Sequence, residues 1–96
     1  MIKIVANMKV QPEKVAEFKA TAKEIVEKSR AEAGNVSYSL NQSTNDANTL
    51  AFIEIWKDQS ALDSHNASEH FTRILPQLGA MCSEAPAIEL YTEVDF

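Results

Sequence analysis

Glycine is scarce in this chain. Gly34 and Gly79 are the only two in 96 residues, too few in any one place for a GxGxxG nucleotide loop or a Walker P-loop. Cysteine occurs once, at Cys82, which excludes an internal disulfide and a zinc site built on cysteine pairs. Basic residues are outnumbered and scattered: nine Lys and Arg stand against fourteen acids, for a net charge of −5. Phosphate backbones need clustered positive charge, so no nucleic acid partner is expected. No apolar run approaches the roughly 18 residues of a membrane span, so no membrane partner is expected either. The first twenty residues lack the apolar core of a signal peptide. The cytoplasm is therefore the expected compartment, and the N-x-S/T sequons at Asn35, Asn41 and Asn66 read as chance. No GxSxG elbow and no HExxH pair occurs.

The remainder is an ordinary globular balance, 45% hydrophobic and 24% charged, which fits one domain over residues 1–96. Ile2 to Val10 alternates, with every even position apolar, and predicts a strand with one buried face. Pro12 suits the opening of a helix. Val15, Phe18, Ala22, Ile25 and Val26 continue it at helical spacing, and Gly34 is expected to close it in the left-handed conformation. Val36, Tyr38 and Leu40 mark a second strand, and Leu50 to Trp56 a third. Asp58 or Ser60 is expected to cap a short helix holding Leu62 and His65, and Ser68 another. Phe71, Ile74, Leu75, Leu78, Met81 and Cys82 form the apolar stripe of the latter, with a kink or break expected at Pro76. Ile88 to Val94 alternates as a fourth strand. The order is β-α-β-β-α-β, which with right-handed crossovers predicts an α+β, ferredoxin-like antiparallel sheet with its helices on one face.

The other face of such a sheet should be polar in a monomer. Strand one offers it Val5 and Asn7. Strand three is expected to add Phe52, Glu54 and Trp56. Large aromatics there predict a second covering surface, most simply another copy of the chain.

Four stretches together resemble the antibiotic biosynthesis monooxygenase family. They are Glu32-Ala33-Gly34-Asn35-Val36-Ser37-Tyr38-Ser39-Leu40, Phe52-Ile53-Glu54-Ile55-Trp56, Ala61-Leu62-Asp63-Ser64-His65 and Ser68-Glu69-His70-Phe71. The resemblance implies a homodimer, specifically a dimeric α+β barrel with a pocket in each subunit. It also implies oxygenation of a quinol or anthrone by dioxygen, with neither metal nor flavin as cofactor. Other relatives degrade haem, isomerise small phosphorylated metabolites or have no settled activity. The haem-degrading ones carry tryptophan at the place of His65 and a histidine near Leu75, and this chain has neither.

Asn7 and His65 are the candidate catalytic residues. An amide such as Asn7 can hold a phenolate or carbonyl oxygen, and an imidazole can take a proton near neutral pH; the competing reading of Asn7 is an exposed or loop-paired amide. Tyr38, Phe52, Glu54, Trp56, His70, Phe71 and Leu75 are candidate substrate-binding residues. Trp56 reads as a core or interface residue as well as an aromatic wall, and Glu54 as a structural partner as well as a base. On one continuous helix His65 and His70 would lie ~140° apart and could not share a metal, so no metal site is expected unless the helix breaks. The expected function is a cofactor-independent monooxygenase acting on a small aromatic molecule. The alternatives are an isomerase of a small hydroxy-ketone, with His65 and His70 as acid and base and Arg73 or a lysine holding phosphate, and a dimeric ligand-binding protein without chemistry.

Overall fold

The computed structural model describes residues 1–96. Strand β1 (Ile2–Lys9) passes through a 3₁₀ turn at Pro12–Lys14 into helix α1 (Val15–Arg30). Strands β2 (Asn35–Gln42) and β3 (Thr49–Trp56) follow, then helices α2 (Gln59–Asn66) and α3 (Glu69–Ala80), then strand β4 (Ala87–Tyr91). The strands form one antiparallel sheet in the order β2-β3-β1-β4. This is the ferredoxin-like arrangement anticipated above, with the second helical segment divided in two. No helix is long and apolar enough to cross a membrane.

The dimeric α+β barrel is not what is found. The sheet is open, with β2 and β4 as its two edges and no pairing between them. Four strands cannot curl far enough for their edges to meet; barrels of this kind need about twice that number.

Helices α1 and α3 bury Phe18, Ala22, Ile25, Ile74 and Leu78 against the even-numbered face of the sheet. That face carries Ile4, Ala6 and Met8 from β1 and Leu50, Phe52, Glu54 and Trp56 from β3, all buried. The expected placement of Phe52, Glu54 and Trp56 on the open face beside Asn7 is therefore overturned. Val5 pairs with Ile53, and Asn7 with Ala51. Residues opposite one another in a ladder share a face, so the open face of β3 carries Ala51, Ile53 and Ile55.

Gly34 acts differently from expectation, and of the kink or break expected at Pro76 the break does not occur. Gly34 has no positive φ. Its need is for space, because a Cβ there would stand 2.2 Å from Ala61 Cβ on α2. Helix α3 runs through Pro76 without a break. The ring costs one backbone hydrogen bond, and the buried Ile74 and Leu78 on either side hold the helix to the core.

Asp58 caps α2 by accepting from the Ala61 N–H at 2.8 Å. Ser68 caps α3, accepting from the Phe71 N–H at 3.3 Å while its hydroxyl donates to the His65 carbonyl at 2.6 Å. The chain thus turns sharply at Ala67 and Ser68, between the two histidines.

Candidate active site

A cavity of about 360 Å³ lies between the even face of the sheet and helices α2 and α3. Its size is within the range of small-molecule sites. Ten of its thirteen lining residues are apolar. Ile4, Ala6, Met8 and Phe52 form the sheet side, and Leu62, Phe71 and Leu75 the helix side. Ile88 and Leu90 of β4 also line it and are half-exposed, so the opening lies along that edge. The other three lining residues are Glu54, His65 and Asn66, and Tyr38, counted among the ten, adds a hydroxyl; no lysine or arginine lines the cavity.

His65 is 1% exposed. Its ring lies against Trp56, with centroids 4.4 Å apart, and Phe71 approaches it edge-on at 5.0 Å. Its Nδ1 is 2.7 Å from Glu32 Oε2. An ionised carboxylate only accepts, so Nδ1 carries the hydrogen and donates. The tautomer follows from that partner. Nε2 is then the nitrogen with a free lone pair, buried and without a hydrogen-bond partner. Burial pushes the His65 pKa down, and the Glu32 carboxylate only partly offsets it. The ring is thus neutral at pH 7, in the state that can accept a proton.

Glu54 Oε1 is 3.9 Å from His65 Nε2, beyond hydrogen-bond reach. It accepts the Trp56 indole N–H at 2.9 Å. Burial pushes the Glu54 carboxyl up to about 7; the indole N–H opposes the shift, and the charge of Glu32 adds to it. A carboxyl that titrates near neutrality and an imidazole held neutral thus stand side by side. Burial, with the negative Glu54 and Glu32 nearby, raises the Tyr38 hydroxyl above the ordinary phenol range, so it stays an O–H donor.

The structure brings together Tyr38, Phe52, Glu54, His65, Phe71 and Leu75 around one cavity. Trp56 stands behind them in the core, fully buried, and holds Glu54 and His65 in place. His70 is outside the lining, with Nε2 2.9 Å from Glu32 Oε2. Asn7 is exposed on the opposite face of the sheet and does not meet His65. Arg73 is held on the surface by Glu24 and Glu69 and does not reach the cavity. Among the polar groups, Asn66 of the lining is absent from the expectations, and so is Glu32. Glu32 lies in the turn after α1, 33 residues before His65, and nothing local distinguishes it from a solvated loop acid.

A family model described as antibiotic biosynthesis monooxygenase matches residues 1–77. The chain is 38% identical over 94 residues to a Bacillus subtilis (strain 168) protein named "Putative monooxygenase YcnE", covering 98% of each. The structure superposes with a TM-score of 0.94 on a crystal structure titled as an antibiotic biosynthesis monooxygenase, at 35% identity, over 99% of this chain and 100% of that one. A conserved protein from Methanosarcina mazei Go1 gives a TM-score of 0.95 at 34% identity, over 97% of this chain and 92% of that one.

Proposed function

This chain belongs to the antibiotic biosynthesis monooxygenase family, and from that premise we propose that it oxygenates an electron-rich aromatic molecule of the quinol or anthrone class without a bound cofactor. Family membership supports a monooxygenase-like oxidoreductase function. The finer reading rests on one observation. His65 lines an apolar cavity; it is locked by Glu32 through Nδ1, and its buried Nε2 is left without a partner.

In this reading Nε2 takes the acidic proton of the substrate. Glu32 stabilises the imidazolium that forms, as an orienting carboxylate does for a catalytic base. The Tyr38 hydroxyl donates toward the substrate oxygen, which carries the negative charge. The carbanion form of the substrate is the reductant. It transfers one electron to dioxygen, and the radical pair combines to a peroxide at the ring carbon. His65 returns its proton to that peroxide. Loss of water leaves a carbonyl, so one oxygen atom stays in the product and the other departs as water. The apolar walls exclude solvent that would otherwise stabilise the anion and slow electron transfer.

The test is oxygen uptake by purified, metal-stripped protein offered a panel of hydroquinones and anthrones, with the product identified by mass. Uptake above buffer, with one oxygen atom from labelled dioxygen in the product, supports the reading. No uptake with any member of the panel overturns it.

The closeness of His65 Nε2 to Glu54 favours a second reading. A neutral imidazole beside a carboxyl that titrates at about 7 can move a proton between adjacent carbons of a hydroxy-ketone. With no lysine or arginine lining the cavity, such a substrate would be unphosphorylated. Exchange of a substrate C–H with deuterated water, without oxygen uptake, distinguishes this isomerase reading.

A further inference from the structure

The break between α2 and α3 does more than orient His65. By turning the chain at Ala67 and Ser68 it sets both histidines on one carboxylate. His65 Nδ1 is 2.7 Å and His70 Nε2 2.9 Å from Glu32 Oε2, and the three atoms lie within 4.8 Å of one another. We infer that Glu32, His65 and His70 form a binding site for a divalent transition-metal ion, and that an ion bound there switches off the His65 base; the second half of this inference rests on the function proposed above.

Two imidazole nitrogens and a carboxylate oxygen are the donor set that zinc and its first-row neighbours take. At ligand distances of ~2.0–2.1 Å, tetrahedral donors stand about 3.3 Å apart. The two pairs here need to spread by about half an ångström to meet that geometry. Glu32 can supply this movement, because it lies in the turn beyond α1 rather than in a helix. The histidines are the fixed members. The His65 ring is packed between Trp56 and Phe71, and the Ser68 cap holds the start of α3. An approach exists on the side away from the cavity. Glu32 also lines a separate hollow with Gly34, Lys57, Asp58, Ser60 and Ser64. The side chains of Glu32 and His70 are 18% and 13% exposed, so a fourth position is open to water.

The consequence for His65 follows from proton counting. Without an ion, Nδ1 carries the hydrogen and Nε2 the lone pair. An ion on Nδ1 displaces that hydrogen to Nε2, and likewise displaces the His70 hydrogen from Nε2 to Nδ1. Neither proton leaves the protein. The buried Nε2 of this cavity-lining residue changes from acceptor to donor and can no longer deprotonate a substrate.

The experiment titrates metal-free protein with zinc by calorimetry and with cobalt(II) by visible absorption. The histidine ring nitrogens are followed by NMR in the same samples. The expected result is one ion per chain, cobalt bands of a low-coordinate nitrogen and oxygen site, and movement of the His65 hydrogen from Nδ1 to Nε2. Affinity should fall at least tenfold in Glu32→Gln and in His70→Gln. It should be unchanged in Glu24→Gln, which alters an exposed acid. Absence of saturable binding overturns the site, as does binding of equal strength in the first two variants. These readouts need no substrate, so they decide the site even where no quinol is turned over. Where one is, zinc should lower the rate in the wild type, with half-inhibition near the measured Kd. A rate unaffected by a saturating ion overturns the switch.

Discussion

The Trp56 indole faces the His65 ring at 4.4 Å and donates its N–H to Glu54 Oε1 at 2.9 Å. One fully buried side chain thereby fixes two polar groups of the cavity wall. Trp56→Phe keeps most of the packing but leaves Glu54 without its donor. A buried acceptor stripped of its partner costs about 1–3 kcal/mol, and the smaller ring adds a void beside His65. The expected outcome is a loss of roughly 2–4 kcal/mol in urea unfolding at pH 7.

Glu54 makes stability depend on pH in a defined direction. Its carboxyl titrates at about 7 in the folded protein and at about 4.3 in an unfolded chain. Below the lower value both states are protonated and no penalty applies. Between the two values the unfolded state ionises while the folded one keeps its proton, so stability falls as pH rises. Glu54→Gln removes this dependence while preserving an acceptor for Trp56. Relative to wild type, the variant should gain on the order of 2–3 kcal/mol between pH 4.5 and pH 8. Paired urea titrations measure that difference, in which the titration of His65 largely cancels.

The two glycines should respond oppositely to alanine. At Gly34 a new Cβ would collide with Ala61 Cβ, so Gly34→Ala must push α2 away from the turn that carries Glu32. A cost of about 1–3 kcal/mol is expected, with reduced turnover because His65 travels with α2. At Gly79 nothing lies within 4 Å, and the residue is inside α3. Gly79→Ala should stabilise by about 0.5–1 kcal/mol. Thermal unfolding of both variants checks the pair.

On a substrate identified by oxygen uptake, His65→Gln should lower kcat by about 10²–10⁴-fold, the usual contribution of a positioned base. Glu32→Gln retains an oxygen that can accept from Nδ1 but loses the charge that stabilises the imidazolium. Its loss should be smaller, about 10–100-fold. Steady-state kinetics at pH 7, with near-ultraviolet circular dichroism to verify packing, measures both.

The strands, the starts of α2 and α3 and six of the thirteen cavity residues were legible because their signals are local. Alternation in Ile2 to Val10 and the Ser68 and Asp58 caps need only neighbouring residues to be read. The face of β3 was not legible. Ala51, Ile53 and Ile55 are as apolar as Phe52 and Trp56, so periodicity could not choose between the two sets. The ladder that pairs Ala6 with Phe52 makes the choice, and a one-residue slip would invert it. The same pairing decides that Asn7 is remote from His65.

By itself the amino-acid sequence determined the order of elements, the ferredoxin-like sheet, the family and His65 as a candidate base. Each of these follows from short-range pattern or from matched residue types. Only the tertiary structure decided that the sheet is open, that the cavity lies between strands and helices of one chain, and that Glu32 joins His65 and His70. Glu32 lies 33 and 38 residues away from those partners, and no local pattern records a contact that depends on where a turn after one helix meets the break between two others.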